Sequence, residues 1–185
     1  MNVRKLAAVG IFGSLAWVVS MFSFPILPAF SFLKVDFSDV ILLLATLAYQ
    51  PAVGVSAALV RSLLSYLVDF GEMGYPIGDT AAFIATLCFI LPIAYTYAQQ
   101  NHHKKQHLIG GLSGIVALTV VMTVLNVILI IPVYTKVLGI SIGPIVNYVV
   151  AGVVPFNLIK GTLLFAVFAF IWPKIKEPIM KIRNR

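Results

Sequence analysis

Two polar side chains interrupt an apolar run near the C-terminus. In VPFNLIKGTLLFAVFAFIW, Val154 to Trp172, they are Asn157 and Lys160. Three residues apart, they share one helical face and lie one turn from each other. Pro155 leaves backbone groups locally free, and Gly161 allows a neighbour or ligand to come close. An amide supplies both donor and acceptor and an ammonium three donors, so the pair is suited to holding a polar edge of a ligand. The same pair has a structural reading, with the lysine paired to a buried acid and the asparagine bridging helices. Asn126, in LTVVMTVLNVILIIPVY, is a second intramembrane amide at comparable depth, six residues before Pro132. It serves either as interhelical glue or as a further wall of the same pocket. Arg61 raises the question of Lys160 again. Asp39 on the adjacent segment is its natural partner, which favours a structural role for Arg61.

Residues such as these cost little in water and much in lipid, so the elements around them decide their meaning. The chain has 185 residues, is 61% hydrophobic and 10% charged, and has a mean hydropathy of +1.03. Such values lie outside the soluble globular range. Breaks at proline, glycine and polar clusters leave six apolar stretches, roughly 5–24, 37–49, 52–69, 77–98, 108–131 and 150–172. The expected fold is an all-α integral membrane bundle of six transmembrane helices, one substrate-binding domain over residues 1–185. Continuous rather than alternating apolar runs exclude a strand barrel. The first stretch lacks a small-residue cleavage site and runs into Phe24-Pro25-Ile26-Leu27-Pro28, unlike a cleaved signal peptide.

Charge then sets orientation. With the N-terminus in the cytoplasm, nine basic residues fall inside (Arg4, Lys5, Lys104, Lys105, Lys174, Lys176, Lys181, Arg183 and Arg185) and two outside, Lys34 and Lys136. The acids Asp36, Asp39, Asp69, Glu72 and Asp79 gather at the external side. Both termini are therefore expected in the cytoplasm, in a cell (plasma) membrane of prokaryotic type. The basic residues serve topology and contact with anionic lipid of the bilayer; no nucleic-acid surface is expected. Cys88, the one cysteine, reads as a small buried hydrophobe. His102-His103 with His107 lack carboxylate and thiol partners nearby, so no metal site is expected. No phosphate-binding loop and no activated nucleophile pair can be assembled, which argues against an intramembrane enzyme.

The external connection FPILPAFSFLKVDFSDV is aromatic, proline-rich and ends in two acids. Asp36 or Ser38 can cap the following helix, and the loop can serve as a lid over an outward-facing pocket.

LKVDFSDV at the second stretch, LNVILIIPVY in the fifth and GVVPFNLIKG in the sixth resemble the S components of energy-coupling-factor (ECF) vitamin transporters, the riboflavin-specific branch above all. The resemblance covers nearly the whole chain. It implies a high-affinity riboflavin-binding membrane subunit that docks on a transmembrane coupling (T) subunit driven by two cytoplasmic ATPases. It implies no cofactor, riboflavin being the transported substrate, and no catalysis. On it, Asn126, Asn157 and Lys160 contact the flavin, and the loop around Leu33, Lys34 and Asp36 covers it. Arg61 and Asp79 complete the candidate ligand-binding set. Asp79 and Ala82 stand where riboflavin members often have a small residue and an asparagine. Where the family carries A-x-x-x-A on its first helix for the coupling subunit, this chain offers Gly10-x-x-x-Ser14 and Ala16-x-x-x-Ser20. Other vitamins, such as thiamine, folate or pantothenate, are the alternatives within the family. A flat ring with carbonyl and imide edges suits an amide and an ammonium in an apolar wall.

Overall fold

The computed structural model describes residues 2–71, 73–98, 104–139 and 143–183. The expectations for Glu72, His102-His103 and Arg185 lie outside them, as do the side chains of Lys104 and Lys105.

Among the described residues, six helical rods follow one another along the chain. The first, α1, is Val3–Ser20, with Asn2 Oδ1 accepting the Lys5 amide at its start. A small antiparallel hairpin follows, pairing β1 (Phe24–Pro25) with β2 (Lys34–Val35) around a 3-10 turn at Pro28–Phe30. Next come α2 (Ser38–Ala48) and α3 (Pro51–Asp69), joined by a two-residue turn. Pro51 sits in the first turn of α3, where its missing N–H costs nothing. Phe70 ends α3 in the left-handed conformation, φ 55°. The fourth rod is α4, Ile77–Ala98. The fifth is α5 (Lys104–Leu125) continued through a π-helical turn at Asn126–Ile130 into α6 (Ile131–Lys136). The sixth is α7 (Ile145–Tyr148), a second π-helical turn at Val149–Val153, and α8 (Val154–Arg183).

Five of these stretches are long and apolar enough to cross a membrane. The exception is α2, with 11 residues. At about 1.5 Å per residue it reaches roughly 16 Å, about half of a hydrocarbon core. It is instead enclosed: nine of its residues, from Ser38 to Ala48, are buried. The expected second span is thus a half-length helix packed inside the bundle. The sixth rod also begins earlier than expected, at Ile145, which brings Tyr148 into it.

The core is built from Leu42 and Leu43 of α2, Phe89 and Ile90 of α4, Leu118 of α5, and Leu164 and Phe168 of α8. Large apolar residues on the outside, such as Ile11, Val116, Val120 and Phe170, are exposed, as suits helices whose outer face meets lipid rather than water. At Gly54 α3 comes so close to α2 that a Cβ would overlap the Thr46 side chain. Lys5 Nζ donates to Gln50 Oε1 at 2.9 Å, so the start of α1 and the α2–α3 turn share one end of the bundle. The hairpin and the segments after α3 and α6 lie at the other.

Candidate ligand site

Prolines shape the two rods that carry the amides. Pro132 and Pro155 each follow a π-helical turn. A proline cannot donate, and its ring presses on the carbonyl four residues back, so the ladder widens upstream. In these turns Ile131 N donates to Asn126 O, and Val154 N to Val149 O. The extra residue in each turn resets which side chains face inward. Asn126 Nδ2 donates to Met122 O and Asn157 Nδ2 to Val153 O, both at 2.8 Å. Each amide nitrogen is anchored on its own helix. Tyr148 Oη donates to Asn126 Oδ1 at 3.2 Å.

These residues converge on a cavity of about 520 Å³, whose polar wall includes Asn126, Asn157, Lys160 and Lys34. The rest is largely apolar, with Ala81, Ala82 and Ala85 of α4 facing Met122, Ile130 and Phe156. Small residues on α4 give the space its width. The hairpin loop closes one side through Phe30, Phe32 and Leu33. Phe30 and Phe32 meet the Tyr148 ring with centroids 5.7 and 5.9 Å away. A Cβ at Gly152 would lie 3.1 Å from the Phe30 ring, so glycine there lets the loop settle against the sixth rod.

Beneath the cavity lies a buried charge network. Lys160 Nζ is 3.2 Å from Asp39 Oδ2. That oxygen has no hydrogen bond of good geometry, so the attraction is ionic rather than directional. Asp39 Oδ1 accepts from Thr86 Oγ1. Arg61 reaches the same group indirectly, donating to Thr86 Oγ1 at 3.1 Å and to Ser38 Oγ at 3.0 Å. Two cations therefore share one carboxylate. Burying such a charge pair in a membrane interior is costly, and the hydrogen bonds through Thr86 and Ser38 offset part of that cost.

The expected site residues thus divide. Leu33, Lys34, Asn126, Asn157 and Lys160 line the cavity just described. Asp36, Arg61 and Asp79 line a second one of about 440 Å³, with Lys34 and Ala82 in the wall common to both. Asp36 is occupied locally: its Oδ1 accepts the Ser38 amide at 2.8 Å, a cap at the start of α2. Asp39 is joined directly to Lys160 and through Thr86 to Arg61, so the acid expected to partner Arg61 is shared between the two cations. On α1, Gly10 and Ser14 are exposed, but Ala16 is wholly buried in the core. Six residues on from Gly10 is about 240° round the helix, so Ala16 leaves the outward face. Ser20 is half-buried and lines the second cavity.

Sequence reading missed Tyr148, Phe30, Phe32 and Phe156. Tyr148 precedes the stretch expected for the sixth span, and its only signal was the amide it serves, Asn126. Among the described residues no group of three metal-ligating side chains comes together.

Comparison with known proteins agrees with this architecture. The family model described as the substrate-specific component of ECF transporters matches residues 4–172. The riboflavin transporter FmnP of Bacillus subtilis is 37% identical over 187 residues, covering 100% of this chain and 98% of the relative. The riboflavin transporter RibU of Streptococcus thermophilus is 35% identical, covering 98% and 87%. RibU of Staphylococcus aureus is 31% identical, covering 97% and 94%. A solved structure of the S component of a bacterial ECF transporter superposes with a TM-score of 0.77 at 30% identity, over 94% of this chain and 96% of that one. This chain belongs to the family of ECF transporter substrate-specific components. It is a multi-pass membrane protein of a transport family, not an enzyme.

Proposed function

We propose that the chain binds riboflavin for uptake across the plasma membrane, as one substrate-binding unit over residues 1–185. The observation that carries this reading is the convergence of Asn126, Asn157 and Lys160 on one largely apolar cavity of about 520 Å³. An isoalloxazine ring is flat and apolar, with carbonyl and imide groups along one edge. Lys160 can donate to a carbonyl there. The Asn157 carbonyl oxygen, its nitrogen being bonded to Val153, can accept from the imide. Alanines of α4 and the Phe30–Phe32–Tyr148 cluster suit the ring faces, and the hairpin loop serves as a lid. Relatives named riboflavin transporters support the choice of vitamin. Titrating the ligand-free protein with riboflavin should quench the flavin fluorescence at one equivalent, with no competition from thiamine or pantothenate. Stoichiometric binding of another vitamin without quenching would refute the assignment.

The chain contains no sequence for an ATP site, so turnover falls to a T subunit and two cytoplasmic ATPases. The exposed Gly10–Ser14 face of α1 is the proposed contact with the T subunit, since small residues permit close helix approach. Both termini are placed in the cytoplasm by the charge asymmetry, with the hairpin loop outside. In a Cys88→Ala background, an impermeant thiol reagent added to intact cells should label Ser31→Cys and spare Lys181→Cys. The reverse pattern would invert the topology.

A further inference from the structure

Tyr148 joins two parts of the first cavity that the chain supplies separately. Its hydroxyl reaches across to the fifth rod and donates to Asn126 Oδ1 at 3.2 Å. Its ring meets Phe30 and Phe32 of the hairpin loop, with centroids 5.7 and 5.9 Å away. Tyr148 and Asn126 are both buried. With the loop, the outer ends of the fifth and sixth rods form a small core of their own, in which Ile131, Tyr148 and Val153 pack with Phe30 and Val149. That core is separate from the main one through α2, α4, α5 and α8. Two backbone bonds of the loop are local: Phe30 N donates to Leu27 O at 3.0 Å and Leu33 N to Phe30 O at 2.9 Å. They shape the loop without tying it to a helix, and the ring contacts tie it to the sixth rod.

The hydroxyl also restrains what Asn126 can offer. An amide has two protons on nitrogen and two lone pairs on oxygen. Met122 O takes one proton, and since a carbonyl can only accept, this fixes which end of the amide faces it. Tyr148 then engages the oxygen. Held at both ends, Asn126 keeps one N–H for the cavity. A buried phenol hydroxyl normally finds a partner. Here the partner is a side chain of the ligand cavity rather than a backbone carbonyl, so more than packing depends on the bond.

We propose that Tyr148 is a positioning residue that couples closure of the hairpin loop to the orientation of Asn126. The closed loop holds the ring, the ring holds the hydroxyl at the amide, and the amide faces the ligand. Opening the loop loosens the ring and with it the restraint on Asn126. Coupling of this kind is reciprocal, so a ligand bonded to Asn126 favours the closed loop. The effect on flavin affinity rests on the riboflavin reading, while the link between Asn126 and the loop does not.

The test uses Tyr148→Phe, which removes the hydroxyl and keeps the ring, and Tyr148→Leu, which removes both. Tyr148→Phe should lose roughly three- to tenfold in riboflavin affinity, the effect of one neutral hydrogen bond. Added to Asn126→Leu it should cost nothing further, because no amide is left to hold. Tyr148→Leu should raise the association and dissociation rates of riboflavin together, roughly tenfold from the loss of two aromatic pairs. A residue that only packs would raise dissociation and leave association unchanged. Additive losses in the Tyr148→Phe/Asn126→Leu pair, or no rise in association with Tyr148→Leu, would overturn the proposal. A second arm needs no flavin. Leu33 lines the cavity from the loop, so Leu33→Cys in a Cys88→Ala background reports loop opening through its rate of reaction with a thiol reagent. In the ligand-free protein that rate should rise roughly tenfold with Tyr148→Leu and roughly threefold with Asn126→Leu, although position 126 lies on the fifth rod. An unchanged rate in Asn126→Leu would show that the amide and the loop are independent and would overturn the proposal even if Tyr148→Leu failed to fold. Failure of wild type to bind riboflavin would refute the riboflavin reading alone, because the thiol arm still decides the coupling.

Discussion

Lys160→Met should lower riboflavin affinity by roughly ten- to a hundredfold, on the proposed function, and should also lower the melting temperature of the ligand-free protein. The first effect follows from losing a charged hydrogen bond to a ligand carbonyl, about 1.5–3 kcal/mol. The second follows from the ion pair. Methionine keeps the stem but removes the ammonium 3.2 Å from Asp39, and breaking a buried pair costs about 3–5 kcal/mol. Thr86 still donates to Asp39, and Arg61 remains on Thr86, so the loss should lie near the lower figure. That corresponds to several degrees in Tm. The two effects separate in the double variant Lys160→Met/Asp39→Asn. Neutralising Asp39 removes the stranded charge, so Tm should recover while affinity stays low. Isothermal binding and thermal unfolding on the single and double variants check both. Unchanged affinity in Lys160→Met would take Lys160 out of the site. An unchanged Tm would mean that the pair adds no stability.

The two readings of Lys160 in the sequence were a ligand contact and a structural pair. The structure gives it the acid partner of the second while leaving it in the cavity wall of the first. Those readings were never exclusive, because an ammonium has three protons and Asp39 faces it from one side. Asn126, Asn157 and Lys160 were legible because a polar residue inside an apolar run has few tolerable placements. Their shared depth then pointed to one cavity. What the sequence hid depended on helix phase. An ideal 3.6-residue repeat carried across Asn126–Ile130 and Val149–Val153 puts side chains on the wrong faces, since each π-helical turn inserts a residue. Tyr148 was hidden differently: it lies before the stretch expected for the sixth span, in the helix that begins at Ile145. The α1 reading shows the opposite case. Ala16 and Gly10 were grouped by spacing patterns alone, and a plain count of 100° per residue separates them. The partition of Asp36, Arg61 and Asp79 into a second cavity depends on how α1, α3 and α4 meet, which no local pattern encodes.

Gly54→Val couples the packing of the short helix to the ligand site. An added Cβ at position 54 would coincide with Thr46 Oγ1 and crowd Thr46 Cβ and Cα. Thr46 has little freedom to yield, because its Oγ1 donates to Leu42 O at 2.7 Å and the residue is buried. The helices must therefore separate. Overpacking of this kind typically costs about 1–3 kcal/mol, and here backbone atoms add to the clash, which favours the upper end. The consequence reaches beyond stability. Ser38 and Asp39 stand at the start of α2, and Arg61 lies two turns along α3 from Gly54. Moving α2 away from α3 stretches the Arg61–Ser38 bond and draws Asp39 from Lys160, so riboflavin affinity should fall with Tm although position 54 touches neither cavity. Thr46→Ala removes the hydroxyl that the new side chain meets first. Combined with the smaller change Gly54→Ala, it should recover part of both losses. Melting temperature and flavin affinity measured across Gly54→Ala, Gly54→Val, Thr46→Ala and the Gly54→Ala/Thr46→Ala pair give the cycle. Full affinity in a strongly destabilised Gly54→Val would show that α2 does not hold Lys160 in place, and the site would then rest on the fifth and sixth rods alone.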